Sequence, residues 1–172
     1  LLRALFLVLV LISVSLNPVA AQSAVRIDEI IQLTDQTVYL NALDSDDSNV
    51  LAIGDKGVVL LIPPEQPSGT ETLVPITDEN LLAVDFHPAG NALIVGESGK
   101  IIRYDYQDRR LSNVSGTGSV ELSTLTAVSW NTNGAWAYIA SDAGLIWRFR
   151  SLVEGNEMVP IENTRASSVQ AI

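Results

Sequence analysis

His87 is the single histidine of the chain and Asp85 stands two residues before it, so this pair is where general acid–base chemistry would begin. An imidazole beside a carboxylate can move protons near neutral pH, but nucleophilic or hydrolytic work needs a third group held at a defined distance. The spacing places no such group. Pro88 also sets His87 at a strand-to-turn boundary, where a polar side chain needs no catalytic role. With one histidine and no cysteine, a histidine-rich or thiolate metal site is excluded. The densest run of oxygen ligands is Asp44-Ser45-Asp46-Asp47-Ser48-Asn49. It lacks the Asp-x-Asp-x-Asp-Gly order and closing Glu of a helix-flanked calcium loop, which favours a solvated turn. No catalytic, metal or cofactor residues are therefore assigned, and a non-enzymatic protein is favoured over an enzyme.

Two further residues carry surface chemistry. Trp136 falls in a turn between two apolar segments, where an exposed aromatic marks a binding surface; a satellite packing contact is the alternative. Asn113-Val114-Ser115 fits the N-glycosylation triplet, which matters only in a host with that machinery.

The elements that position these residues repeat. Asp55-Lys56-Gly57, Glu97-Ser98-Gly99 and Asp142-Ala143-Gly144 each follow one short apolar run and open another, a period of about 42 to 45 residues. We read Asp55, Gly57, Glu97, Gly99, Asp142 and Gly144 as structural turns. The segment from Leu81 to Gly90 is echoed from Leu125 to Gly134 at a constant offset of 44. The order of strands and turns predicts strands over 38–43, 50–54, 58–62 and 71–76, then 81–87, 92–96, 100–105 and 118–123, then 125–131, 137–141, 145–150 and 157–161. Alternation puts Val84, Phe86, Val128 and Trp130 on the core side.

A repeat of this length built from strands and glycine turns predicts an all-β fold, a β-propeller of four-stranded blades. Repeats lie near 38–76, 81–123 and 125–161, with a next blade starting near 169, so 22–172 reads as a partial propeller of about three and a half blades where closed rings have about four to eight. The remaining blades are implied to lie outside the sequence. Val25 to Thr34 reads as an outer strand that completes the last blade or as a lead strand packed on the first.

Residues 1–21 read as a signal peptide. Arg3 supplies the positive start, Leu5 to Leu16 the apolar run, and Val19-Ala20-Ala21 the small residues before a cut at Gln22. The apolar run is short of the roughly 20 residues that cross a bilayer as a helix, so no stable membrane span is expected after cleavage. A secreted, periplasmic or cell-surface protein follows. Removing this segment, whose one charged side chain is Arg3, takes the formal net charge from −10 to −11. Nucleic acid and anionic membranes are thereby disfavoured as partners.

The stretch Phe86-His-Pro-Ala-Gly-Asn-Ala-Leu-Ile-Val-Gly-Glu-Ser-Gly-Lys-Ile-Ile-Arg-Tyr104 resembles the repeat of WD40-like or Asp-box-like bacterial and archaeal propellers. Asp142-Ala-Gly-Leu-Ile-Trp147 matches most of the Asp-box pattern, although Ala140 replaces its serine, and the Gly-His and Trp-Asp pairs of regular WD40 blades are missing. The resemblance implies an exported, non-enzymatic propeller that binds a protein or glycan partner or acts as a scaffold. The alternative is the propeller domain of an extracytoplasmic glycoside hydrolase or other hydrolase whose catalytic residues lie in blades beyond this sequence.

Overall fold

Short runs of branched apolar residues bounded by Gly, Asn and Asp turns form strands, because a pleated ribbon buries one face and each turn reverses it. The computed structural model describes residues 38–115, 123–152 and 155–161. All of these belong to one of the chain's two units, Ile31–Ile172; the other, Leu1–Ile30, lies outside them. The signal peptide, the segment Val25 to Thr34, most of the strand expected at 118–123 and the repeat starting near 169 also lie outside the described residues.

Three antiparallel meanders follow one another. The first sheet is β1 (Leu40–Ser45), β2 (Val50–Gly54), β3 (Val59–Ile62) and β4 (Glu71–Thr72). The second is β5 (Leu81–Phe86), β6 (Ala92–Gly96), β7 (Ile101–Asp105) and β8 (Arg110–Asn113). The third is β9 (Leu125–Trp130), β10 (Ala137–Ser141), β11 (Ile146–Leu152) and β12 (Gly155–Pro160). Strands pair in chain order within each sheet.

The second sheet is the middle layer, apolar on both faces. Ala92 and Ile94 pack with Leu51, Ile53 and Leu61 of the first sheet, while Leu93 and Val95 pack with Val128, Ile139 and Phe149 of the third. This is why β6 is buried at all five positions rather than at alternate ones. Val84 joins the first core and Val128 the second, with Phe86 and Trp130 packed against them, the sides that alternation assigns. Each fully buried Leu or Ile here contributes about 1.5–3 kcal/mol.

The structure corrects the propeller expectation. The described residues form three separate, open four-stranded sheets, and none closes on itself or into a ring. A sequence period sets how many strands each unit contains; closure needs a further contact returning to the first unit, which periodicity does not encode. With the ring go the WD40-like or Asp-box-like assignment, the implied remaining blades, and the functional readings built on them, both the loop-presenting module for a protein or glycan and the hydrolase alternative.

The fourth strand of the second sheet is also displaced. It is Arg110–Asn113, not 118–123, because Asp105 Oδ1 accepts the backbone N–H groups of Gln107 and Asp108 at 2.9 and 3.2 Å and turns the chain back at once. Arg109, at φ 51°, completes that tight reversal.

The acidic turns fasten one sheet to the next. Lys56 (φ 54°) and Gly57 (φ 69°) are both left-handed, and so are Ser98 (φ 53°) and Gly99 (φ 63°). In that conformation the Gly57 N–H donates to Glu79 O at 2.8 Å and the Gly99 N–H to Ser123 O at 2.7 Å, each the lead-in of the following sheet. Asp55, Glu97 and Asp142 donate their N–H groups to Tyr39, Asn80 and Thr124 O, each about 3.0 Å away at the start of their own sheet. The third turn differs: only Gly144 (φ 76°) is left-handed, and its N–H returns to Ser141 O.

Carboxylates tie the inner strands. Asp44 Oδ2 accepts the Phe86 N–H at 2.8 Å, and Asp85 Oδ2 accepts the Trp130 N–H at 2.5 Å. Burial raises the Asp85 carboxyl above its usual 3.8, the Trp130 N–H pulls it back in part, and the Asp44 charge adds to the rise. A raised folded-state value means that ionisation costs the fold, so stability falls as pH climbs from 3.8 through the higher folded value. Asp85→Asn keeps an acceptor for Trp130 without that charge. We expect it to unfold in urea at pH 7 no more easily than wild type, with a flatter pH dependence across that window. Asp85→Ala orphans the Trp130 N–H and is expected to lose about 1–3 kcal/mol.

Candidate functional site

A cleft of about 160 Å³ opens where the middle and third sheets meet. It is built on the two equivalent turns that follow β5 and β9. His87 crosses between them: its Nδ1 accepts the Ala89 N–H at 2.9 Å, and its Nε2 lies 3.0 Å from Gly134 O. An amide can only donate and a carbonyl only accept, so the proton sits on Nε2 and the ring is held as one neutral tautomer. Gly134 is required at this approach. It has φ 69°, and a Cβ there would fall 2.3 Å from His87 Nε2.

The imidazole stands edge-on to Trp130, ring centroids 4.7 Å apart at 90°, and Trp130 meets Phe149 at 6.3 Å and 69°. These aromatics form the apolar wall of the cleft. Trp130 Nε1 is buried and finds no hydrogen-bond acceptor among the described residues. A buried donor left unmade costs about 1–3 kcal/mol, and it is the exception among the buried side-chain polar atoms of the described residues.

Arg103 of β7 and Arg150 of β11 also line the cleft, and no acidic residue does, although the chain has 20 acids to 10 bases. Arg150 Nε donates to Glu157 Oε2 at 2.5 Å, leaving its terminal nitrogens as donors. Trp136 helps to aim it. The Arg150 guanidinium carbon lies 4.5 Å from the Trp136 ring centroid, and that of Arg148 lies 3.9 Å away.

The residues singled out from sequence are therefore distributed as follows. Trp136 is half-buried beside the cleft, stacked by two arginines instead of presenting a free platform. Asp55, Gly57, Glu97, Gly99, Asp142 and Gly144 sit in turns with the structural ties described above. Asp85 and His87 are not brought together, since one holds the Trp130 N–H and the other Gly134. In the Asp44–Asn49 run, Asp46 Oδ1 accepts the N–H groups of Ser48 and Asn49 and caps a turn. Among the described residues no group of three or more His, Cys, Asp or Glu is placed to hold a metal ion, and no helix is long and apolar enough to cross a membrane. Asn113 is exposed at the end of β8.

Sequence reasoning missed Arg103, Arg150 and the Trp130 indole as a set. The signal available was the Arg148-Phe149-Arg150 alternation, which gives one strand a cationic face and an aromatic face.

No protein-family model matches the chain, and no curated protein does. Solved structures with a similar fold include an auxiliary nutrient binding protein from Bacteroides thetaiotaomicron, with 13% identity and a TM-score of 0.54 over 71% of this chain and 31% of that one. Another is a candidate 6-phosphogluconolactonase from Bacteroides uniformis, with 17% identity and a TM-score of 0.56 over 72% of this chain and 40% of that one. The chain thus spans less than half of either structure. At such identity the likeness shows the fold alone, and two neighbours with different names on one fold leave function to the site.

If Trp136 aims Arg150, its removal should cost more than packing area. We expect Trp136→Leu to lose about 0.5–2 kcal/mol in urea unfolding at low salt and less at high salt, as a contact to cations requires. A loss independent of salt would show that the ring acts only as an apolar filler.

Proposed function

We propose that this protein is an exported, non-enzymatic binding module that takes a small organic molecule in the cleft between its second and third sheets. The observation that carries the reading is the cleft itself, walled by Leu93, Trp130 and Phe149, lined by Arg103 and Arg150 and clasped by His87. Small-molecule sites are concave and mostly apolar with a few fixed polar groups, and a neutral, doubly bonded histidine makes such a rim rigid without offering it for proton transfer. Export rests on Arg3, the Leu5 to Leu16 run and the small residues before Gln22.

The test is a fragment screen on the full chain followed through the indole N–H signals of its three tryptophans by NMR, with Trp130 assigned from Trp130→Phe. Binding fragments should move the Trp130 signal more than those of Trp136 and Trp147. Ala135→Trp, which fills the cleft from an exposed turn position, should abolish the effect. Ligands should be recovered chemically unchanged after long incubation. Shifts that persist in Ala135→Trp, or conversion of a bound fragment, would defeat the proposal.

A further inference from the structure

Resting on the cleft being a ligand site, we infer that its ligand class is a small aromatic carboxylate of about the size of benzoate. Size sets the first bound. A cavity of about 150 Å³ with apolar walls accommodates one benzene ring, and this cleft has about 160 Å³. Its walls suit that ring, because Leu93, Phe149 and Trp130 offer an apolar slot in which aromatic edges and faces can meet.

Charge sets the second bound. The Arg103 guanidinium has no hydrogen-bond or ion-pair partner among the described residues, and Arg150 spends one of its five donors on Glu157. A guanidinium matches a carboxylate with two parallel charge-assisted bonds, which a neutral amide cannot reproduce. The absence of acids from the lining is the selective feature. The chain as a whole carries a formal net charge of −10, so its field opposes an anion, whereas this cleft is lined by two arginines and no acid. Inorganic phosphate has the charge but no apolar body, and would leave the aromatic wall uncovered. A carboxylate on a ring uses both halves of the cleft.

The experiment titrates the full chain with sodium benzoate, benzamide and inorganic phosphate, reading the Trp130 indole signal and heat of binding. Benzoate should bind, and benzamide, equal in size but neutral, should bind about tenfold more weakly or worse. Arg103→Gln should weaken benzoate by a similar factor while leaving benzamide unchanged. Because Arg103 is exposed, that variant should keep the wild-type melting temperature, which is checked alongside. Benzamide binding as tightly as benzoate, or phosphate displacing it, would overturn the carboxylate assignment while leaving the cleft a ligand site. If none of the three moves the Trp130 signal, the inference fails, and the fragment screen shows separately whether the cleft binds anything else.

Discussion

The middle sheet has to bury both of its faces, and most of the molecule follows from that. A sheet with one wet face alternates polar and apolar residues, whereas Ala92, Leu93, Ile94, Val95 and Gly96 form a continuous buried run. Such a strand is stable only between two others. The first and third sheets supply those layers, each adding its own apolar face to a separate core. The ends of the inner strands carry part-buried amide groups, and Asp44 and Asp85 accept those amides across the sheet boundaries. Each holds a hydrogen bond, and at Asp85 burial outweighs it, raising the carboxyl above its usual value.

Against this local satisfaction, the few polar groups left over become informative. The His87 clasp takes up both ring nitrogens, and the Asx turn of Asp46 takes up one of its two carboxylate oxygens. The Trp130 indole nitrogen is treated differently: it is buried and unmatched, on a residue that lines the same cleft as Arg103 and Arg150. A donor left unmade keeps a cost of about 1–3 kcal/mol, which the packing around it has to offset.

The strands were legible because their signal is local. β2, β6 and β10 fall on the expected residues, since each is a short apolar run stopped by a glycine or serine turn. β8 was not, because the reversal at Asp105 depends on one side-chain oxygen reaching two amides, and Tyr106-Gln107-Asp108-Arg109 carries no glycine to announce it. The relation between sheets was less legible still. Repetition predicts like units, but whether units close into a ring depends on contacts that no period records. At the site, Trp136 was noticed as an exposed aromatic, yet the arginines that stack on it come from β11, on the far side of a strand pairing.

The repeats themselves argue that the cleft is a specialisation and not a by-product of the fold. The corresponding niche between the first and middle sheets is lined by Asp46, Asp47, Phe86 and Tyr106, whereas the one between the middle and third has Arg103, Arg150, Trp130 and Phe149. In register, Asp46 occupies the place in the first unit that His87 takes in the second, and Phe86 answers to Trp130. His87 lines both niches; beyond it the first has two carboxylates with Phe86 and Tyr106, and the second has two arginines with Trp130 and Phe149. Packing demands alone would have kept the two alike, because the backbone and the buried aliphatic layers are. What differs between them is charge and hydrogen-bonding capacity at the rim, the properties that decide which molecule a cavity admits and that burial leaves unconstrained.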